Sequence, residues 1–236
     1  MLCLGVDLAQ ARDKTALVAV ESWRPEVEPG ISELVALANM DPIGTLRRKR
    51  PRVPRPETHH QICHIAQLPP GVSYPEQATW IIQAAHALSD EERATVYVDA
   101  TGVGRAVVDL LRRDCPFSIV AVTITPGGAV TKKGKDWSVA KTELISALEV
   151  VLSTHRLAAD PGVDYAGLLS KQLKAFSYVL GDTGRPKYEG KGSHDDITMA
   201  LALAVFAGER GGSSTGAFRT FMQDDIRRRN NVEAPY

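Results

Sequence analysis

Residues 197–207, I-T-M-A-L-A-L-A-V-F-A, form an eleven-residue run in which Thr198 is the one polar interruption. The run is too short to cross a bilayer. As a helix it would be apolar on every side, so it must be buried within a core that surrounds it. Two carboxylates, Asp195 and Asp196, stand at its start. The chain has 236 residues, 44% hydrophobic and 24% charged, which suits one large domain or one domain and a tail. Lys plus Arg (28) balances Asp plus Glu (28). A uniformly basic nucleic-acid coat and an acidic disordered tail are both excluded as whole-chain descriptions. Cys3, Cys63 and Cys115 form neither an even framework nor a C-x-x-C, so a reduced, intracellular protein is expected. Asp7 interrupts what would have to be a signal peptide's apolar stretch, and no membrane association is expected.

The order of elements follows from periodicity. L-C-L-G-V-D-L-A alternates as a strand with Asp7 on the face opposite the leucines. T-A-L-V-A-V-E reads as a second strand and residues 61–68 as a third. Between these two, residues 46–56 carry six cations and three prolines and read as an exposed loop. A helix from Pro75 places Ile81, Ala84, Ala85 and Leu88 on one face. T-V-Y-V-D-A is a strand ending at Asp99, followed by a T-G-V-G turn and a helix with Val107, Val108, Leu110 and Leu111. Residues 117–125 form the next strand, and K-K-G-K reads as a basic loop. Then comes a helix with Leu144, Ile145, Leu148, Val151 and Leu152 at helical spacing, and another near 165–176. This is a mixed α/β plan with helices on both faces of one sheet. One domain, residues 1–209, is expected, with a flexible linker and C-terminal tail at 210–236. In that tail Phe218, Phe221, Met222 and Ile226 share one helical face.

Three acidic positions occupy places where a carboxylate is costly unless used. Asp7 lies in an apolar strand, Asp99 closes another, and Asp195 and Asp196 open the apolar helix. Were the first two strands parallel neighbours, Asp7 and Asp99 would lie about one strand spacing apart, roughly 5 Å. A third carboxylate facing that edge would complete an oxygen-rich pocket suited to Mg²⁺ or Mn²⁺ and not to Zn²⁺. Two such ions can activate water against a phosphodiester. Structural readings stand beside this one. D-A-T-G-V-G would serve as a turn with Thr101 as helix cap, and S-H-D-D fits an S-x-x-D capping box with Asp196 at the third helical position. Adjacent helix residues point about 100° apart, so Asp195 and Asp196 cannot serve one ion equally. Asp196 is the expected direct ligand, Asp195 a second ligand or water holder, and His194 a phosphate or leaving-group contact.

G-V-D-L-A, V-Y-V-D-A-T-G-V-G and S-H-D-D-I-T-M-A-L-A-L-A together resemble the nuclease domain of phage terminase large subunits. The resemblance implies a ribonuclease H-like fold with a mixed five-stranded sheet in the order 3-2-1-4-5. It also implies metal-dependent endonuclease action on double-stranded, concatemeric viral DNA during genome packaging in the infected host's cytoplasm. Asp7 then takes the first-strand catalytic position, Asp99 the fourth-strand one and Asp195 or Asp196 the last-helix one. With Asp196 as the expected catalytic ligand, Asp195 joins as a further metal ligand. The implied partners are double-stranded DNA, a packaging ATPase domain or chain, the portal and the small terminase subunit. In this family an ATPase motor normally precedes the nuclease. No G-x-x-x-x-G-K-[ST] occurs here, and residues 128–135 have one residue too many between their glycines. The motor is therefore expected elsewhere, whether the sequence is an excised domain or a separate nuclease.

For DNA contact the candidates are Lys132, Lys133, Lys135 and Lys141, then His194, then the loop cations Arg47, Arg48, Lys49 and Arg50 with Arg52 and Arg55. The alternatives are a Holliday-junction resolvase, a silent DNA- or portal-binding module, and an actin- or hexokinase-type ATPase. The last needs two copies of its fold, and 236 residues hold one.

Overall fold

A computed structural model describes residues 1–8, 13–25, 57–89, 94–102, 104–180, 186–190 and 195–210. The cationic loop at 46–56, Ser193, His194 and the apolar positions of the tail lie outside the described residues. The chain divides into two compact units, Met1–Ser22 with His59–Gly212, and Trp23–Thr58 with Ser213–Tyr236. In the second unit, Arg24 Nε donates to Thr58 Oγ1 at 3.2 Å. The first unit carries the elements that matter below.

Its strands are β1 (Leu2–Asp7), β2 (Thr15–Trp23), β3 (His59–Leu68), β4 (Thr95–Asp99), β5 (Ser118–Thr125), β6 (Val130–Lys133), β7 (Asp136–Ala140) and β8 (Leu157–Ala159). They form one sheet in the order β6-β7-β5-β4-β1-β2-β3-β8. Phe176–Leu180 (β9) and Pro186–Gly190 (β10) pair as a separate antiparallel hairpin. The helices are α1 (Tyr74–Leu88), α2 (Gly104–Asp114), α3 (Lys141–Ser153), α4 (Ala166–Ala175) and α5 (Asp196–Arg210).

The expected order 3-2-1-4-5 is present as the contiguous centre of this sheet. The sheet has eight strands, however, where five were expected. The K-K-G-K segment is not a loop: Val130–Lys133 and Asp136–Ala140 pair antiparallel about a turn at Gly134, whose φ of 62° is left-handed. β8 adds the opposite edge beside β3.

Strand alternation assigns the two faces. Leu4 and Val6 pack with Ala78, Ile81, Val107 and Leu111 of α1 and α2. Cys3 faces the other cluster, with Leu144 and Leu148 of α3 and the whole apolar run of α5. By the same period of two, Gly5 and Asp7 share the face of Cys3. The apolar helix is buried from Asp196 through Gly208. It lies on β1 so closely that a Cβ at Gly5 would sit 2.0 Å from the carbonyl oxygen of Ala200. Leu152 departs from its expected face and is 37% exposed, at the end of α3.

The far end of α5 is fixed by polar contacts. His60 is fully buried, its Nδ1 2.9 Å from Ser22 Oγ and its Nε2 3.0 Å from Glu209 Oε1. Arg156 Nη1 donates to the same carboxylate at 2.5 Å. Burial holds the His60 pKa below its ordinary value, against the opposing pull of Glu209. The folded state therefore keeps His60 neutral, whereas the unfolded chain takes up a proton near the ordinary pKa of about 6.5. The stability contributed by this group is present above that pH and lost as pH falls. His60→Gln should destabilise the protein by about 1–3 kcal/mol at pH 8. The gap between wild type and variant should narrow from pH 7 to pH 5 in urea titrations. A gap independent of pH would show that His60 is not the titrating group.

Candidate metal centre

β1 pairs parallel with β4, and the register sets Val6 opposite Val98. The next residues, Asp7 and Asp99, thus end the two strands side by side at the carboxyl edge, about one strand spacing apart. Tyr97 packs toward α5 whereas Val96 and Val98 pack on the other face, so Asp99 shares the face of Asp7.

From above that face comes the start of α5. The carbonyl of Asp195 accepts the N–H of Met199 at 2.8 Å. Asp195 is therefore the N-cap and Asp196 the first helical residue. This corrects the capping-box expectation, which needed Asp196 at the third helical position. Asp196 is buried, at 6% exposure. Asp195 Oδ2 accepts from Lys141 Nζ at 3.0 Å. Lys141, expected on DNA, is thus bonded to one of the site's own acids at the start of α3.

The electrostatics put these groups within one another's field. Burial raises the Asp7 carboxyl well above the usual carboxylate range, and Asp99, Asp196 and Asp195 raise it further. Lys141 acts in the opposite sense on Asp7. Asp99 is also raised, by burial, against the lowering effects of Thr101 and then Lys141. Thr101 donates its backbone N–H to Asp99 Oδ1 at 2.8 Å, and its hydroxyl accepts from the Ile124 N–H at 2.9 Å. Thr101, which the structural reading of D-A-T-G-V-G made a helix cap, ties Asp99 to the end of β5.

Four carboxylates and one ammonium make an oxygen-only donor set with excess negative charge, a match for hard divalent cations. Among the described residues, no three His, Cys, Asp or Glu side chains are grouped tightly enough to hold a single ion. The acids are spread along the strand ends and the helix start.

The basic residues divide by face. Lys132 is paired with Trp137, Trp137 with Val122, and Val122 with Asp99. Lys132 thus lies in the same register row as Asp99, three strand spacings or about 14 Å away. Its Nζ sits 4.9 Å from the centre of the Trp137 ring. Lys133 alternates to the opposite face, and Lys135 is exposed in the turn beside Gly134. Arg47, Arg48, Lys49, Arg50 and His194 fall outside the described residues. The sequence reading missed Gln172, whose amide oxygen accepts from the Thr198 N–H of α5. No local pattern could reveal a contact made across 26 residues.

Among the described residues, no helix is long and apolar enough to cross a membrane. The sequence matches no protein-family model and no curated protein. The fold does have solved counterparts. The large terminase nuclease from thermophilic phage G20c with bound cobalt is 19% identical, with a TM-score of 0.56 over 87% of this chain and 80% of that one. The large terminase nuclease domain of Thermus phage P74-26 is 16% identical, with a TM-score of 0.55 over 92% of this chain and 83% of that one. With its central 3-2-1-4-5 strand order, the chain has the ribonuclease H-like fold of phage large-terminase nuclease domains.

Proposed function

We propose that this chain is a divalent-metal-dependent endonuclease that hydrolyses double-stranded DNA during viral genome packaging, supplied with motive force by an ATPase domain or chain. The observation that carries this reading is the convergence of Asp7, Asp99, Asp195 and Asp196 with Lys141 at one end of the sheet. Carboxylates brought together in a half-buried place destabilise one another unless a cation joins them. The similar G20c nuclease has bound cobalt. Asp7, Asp99 and Asp196, with Asp195, would share one or two Mg²⁺ or Mn²⁺ ions, each ion taking one or two of the carboxylates and completing its shell with water. Bound there, the metal supplies charge neutralisation at the phosphodiester and activation of water. Thr101 orients Asp99, and Lys141 balances part of the charge and holds Asp195 in place. The nuclease domain in this reading is residues 1–209, with 210–236 as linker and tail.

Incubating supercoiled plasmid with the protein in Mg²⁺, Mn²⁺ or EDTA tests the activity. Nicking and linearisation are expected with either metal and none with EDTA. Intact plasmid under all three conditions, with DNA retained in a mobility shift, would favour a silent binding module.

The hairpin lysines should govern affinity. Replacing Lys132, Lys133 and Lys135 by Ala should flatten the salt dependence of DNA binding, by about 0.9 in log–log slope for each phosphate that the variant no longer neutralises. Lys132, on the face of the acids, should account for most of that change and Lys133 for little. Fluorescence anisotropy from low to high salt measures it. An unchanged slope in the triple variant would return these lysines to ordinary solvated surface.

A further inference from the structure

We infer that Gln172 is a positioning residue that caps α5 from outside the helix and so releases its leading carboxylates for the metal site. The inference rests on the metal-centre reading above. A helix start leaves N–H groups without intrahelical partners, and an N-cap aspartate ordinarily accepts one from the second or third helical residue. Asp195 is the N-cap here and Thr198 the third helical residue. Yet the Thr198 N–H is bonded to Gln172 Oε1 at 3.1 Å, with the Thr198 hydroxyl 3.4 Å from the same oxygen. Gln172 and Thr198 are both buried, at 4% and 1% exposure, so this N–H needs a protein acceptor.

A carboxylate folded back onto its own helix could not also face the strand ends. With the cap supplied from α4, Asp195 bonds Lys141 instead, and both acids contribute to the field at Asp7. A neutral amide is suited to this task, because it satisfies the N–H without adding another negative charge to the cluster. The contact also ties the start of α5 to α4, whose Leu169 is anchored in the core.

The test is Mn²⁺ titration calorimetry on the full chain, with thermal melting in parallel. Gln172→Leu is expected to weaken Mn²⁺ binding about tenfold or more, the scale seen when a ligand's supporting hydrogen bond is removed. Gln172→Glu keeps an oxygen acceptor at the same reach and should retain Mn²⁺ binding. Should Gln172→Leu fail to fold, Gln172→Asn, which draws the oxygen back by one methylene, is measured in its place and should show the same weakening. A lowered melting temperature with unchanged Mn²⁺ affinity in the truncating variant would reduce Gln172 to a packing role and overturn the inference. Wild-type protein that binds no Mn²⁺, or binds it equally well after Asp196→Asn, would instead sink the metal-centre reading and the inference with it.

Discussion

Replacing Asp7 by Asn is expected to abolish metal-dependent cleavage and to raise the melting temperature measured in EDTA. Asp7 feels three carboxylates besides its own burial, and the Lys141 ammonium acts against them. A carboxyl raised in this way stabilises the fold only in acid. The contribution is lost as pH rises past the ordinary carboxylate value of about 3.9. At neutral pH the metal-free protein is therefore strained by its own site, and Asn removes the charge while keeping the shape. Each kcal/mol so relieved should appear as roughly 2–4 °C in a chain of this size. Mn²⁺ should stabilise the wild type and do little for the variant. Loss of a ligand worth several kcal/mol in the transition state implies about a thousandfold or greater fall in cleavage. Asp99→Asn should cost comparable activity with a smaller thermal gain. Its carboxylate is already stabilised by the Thr101 hydrogen bond. Plasmid cleavage and melting with and without Mn²⁺ decide the matter. An Asp7→Asn protein that cuts like wild type would end the assignment.

The acids were legible because each breaks a strong local pattern. Asp7 interrupts a run whose alternation fixes its face, and Asp195 and Asp196 open a helix that is otherwise apolar on every side. What stayed hidden depends on partners. Val130–Lys133 is mostly exposed and basic, and it is a strand only because β7 offers it an edge. β8 has three residues and is defined by its pairing with β3. These two and β7 escaped a reading based on periodicity, and the five expected strands became eight. Lys141 illustrates the same limit in chemistry. The resemblance suggested a surface for DNA, whereas its ammonium bonds a carboxylate 54 residues away.

Gly5→Ala should be among the most damaging single-atom additions in the protein, and it should disable the site without touching an acid. Gly5 lies two residues before Asp7 on the same face of β1, beneath Ala200 and Ala204. A Cβ there would stand 2.0 Å from the Ala200 carbonyl oxygen and 2.8 Å from the Ala204 nitrogen. Both are backbone atoms, so no rotamer change can make room, and α5 would have to lift from the strand. Asp196 sits one turn before Ala200 and would move with it, away from Asp7. Overpacking a core typically costs about 1–3 kcal/mol, and a backbone-on-backbone clash belongs at or beyond the upper end. A fall of roughly 6 °C or more in melting temperature is expected, together with weakened Mn²⁺ binding. Val6→Ala supplies the comparison, since Val6 packs on the opposite face with α1 and α2. It should lower the melting temperature while leaving Mn²⁺ affinity near that of wild type. Were both variants to lose stability and neither to lose Mn²⁺ affinity, the close contact at Gly5 would serve the core alone. Loss of affinity confined to Gly5→Ala would mean that the seat of α5 on β1 sets the spacing of the carboxylates.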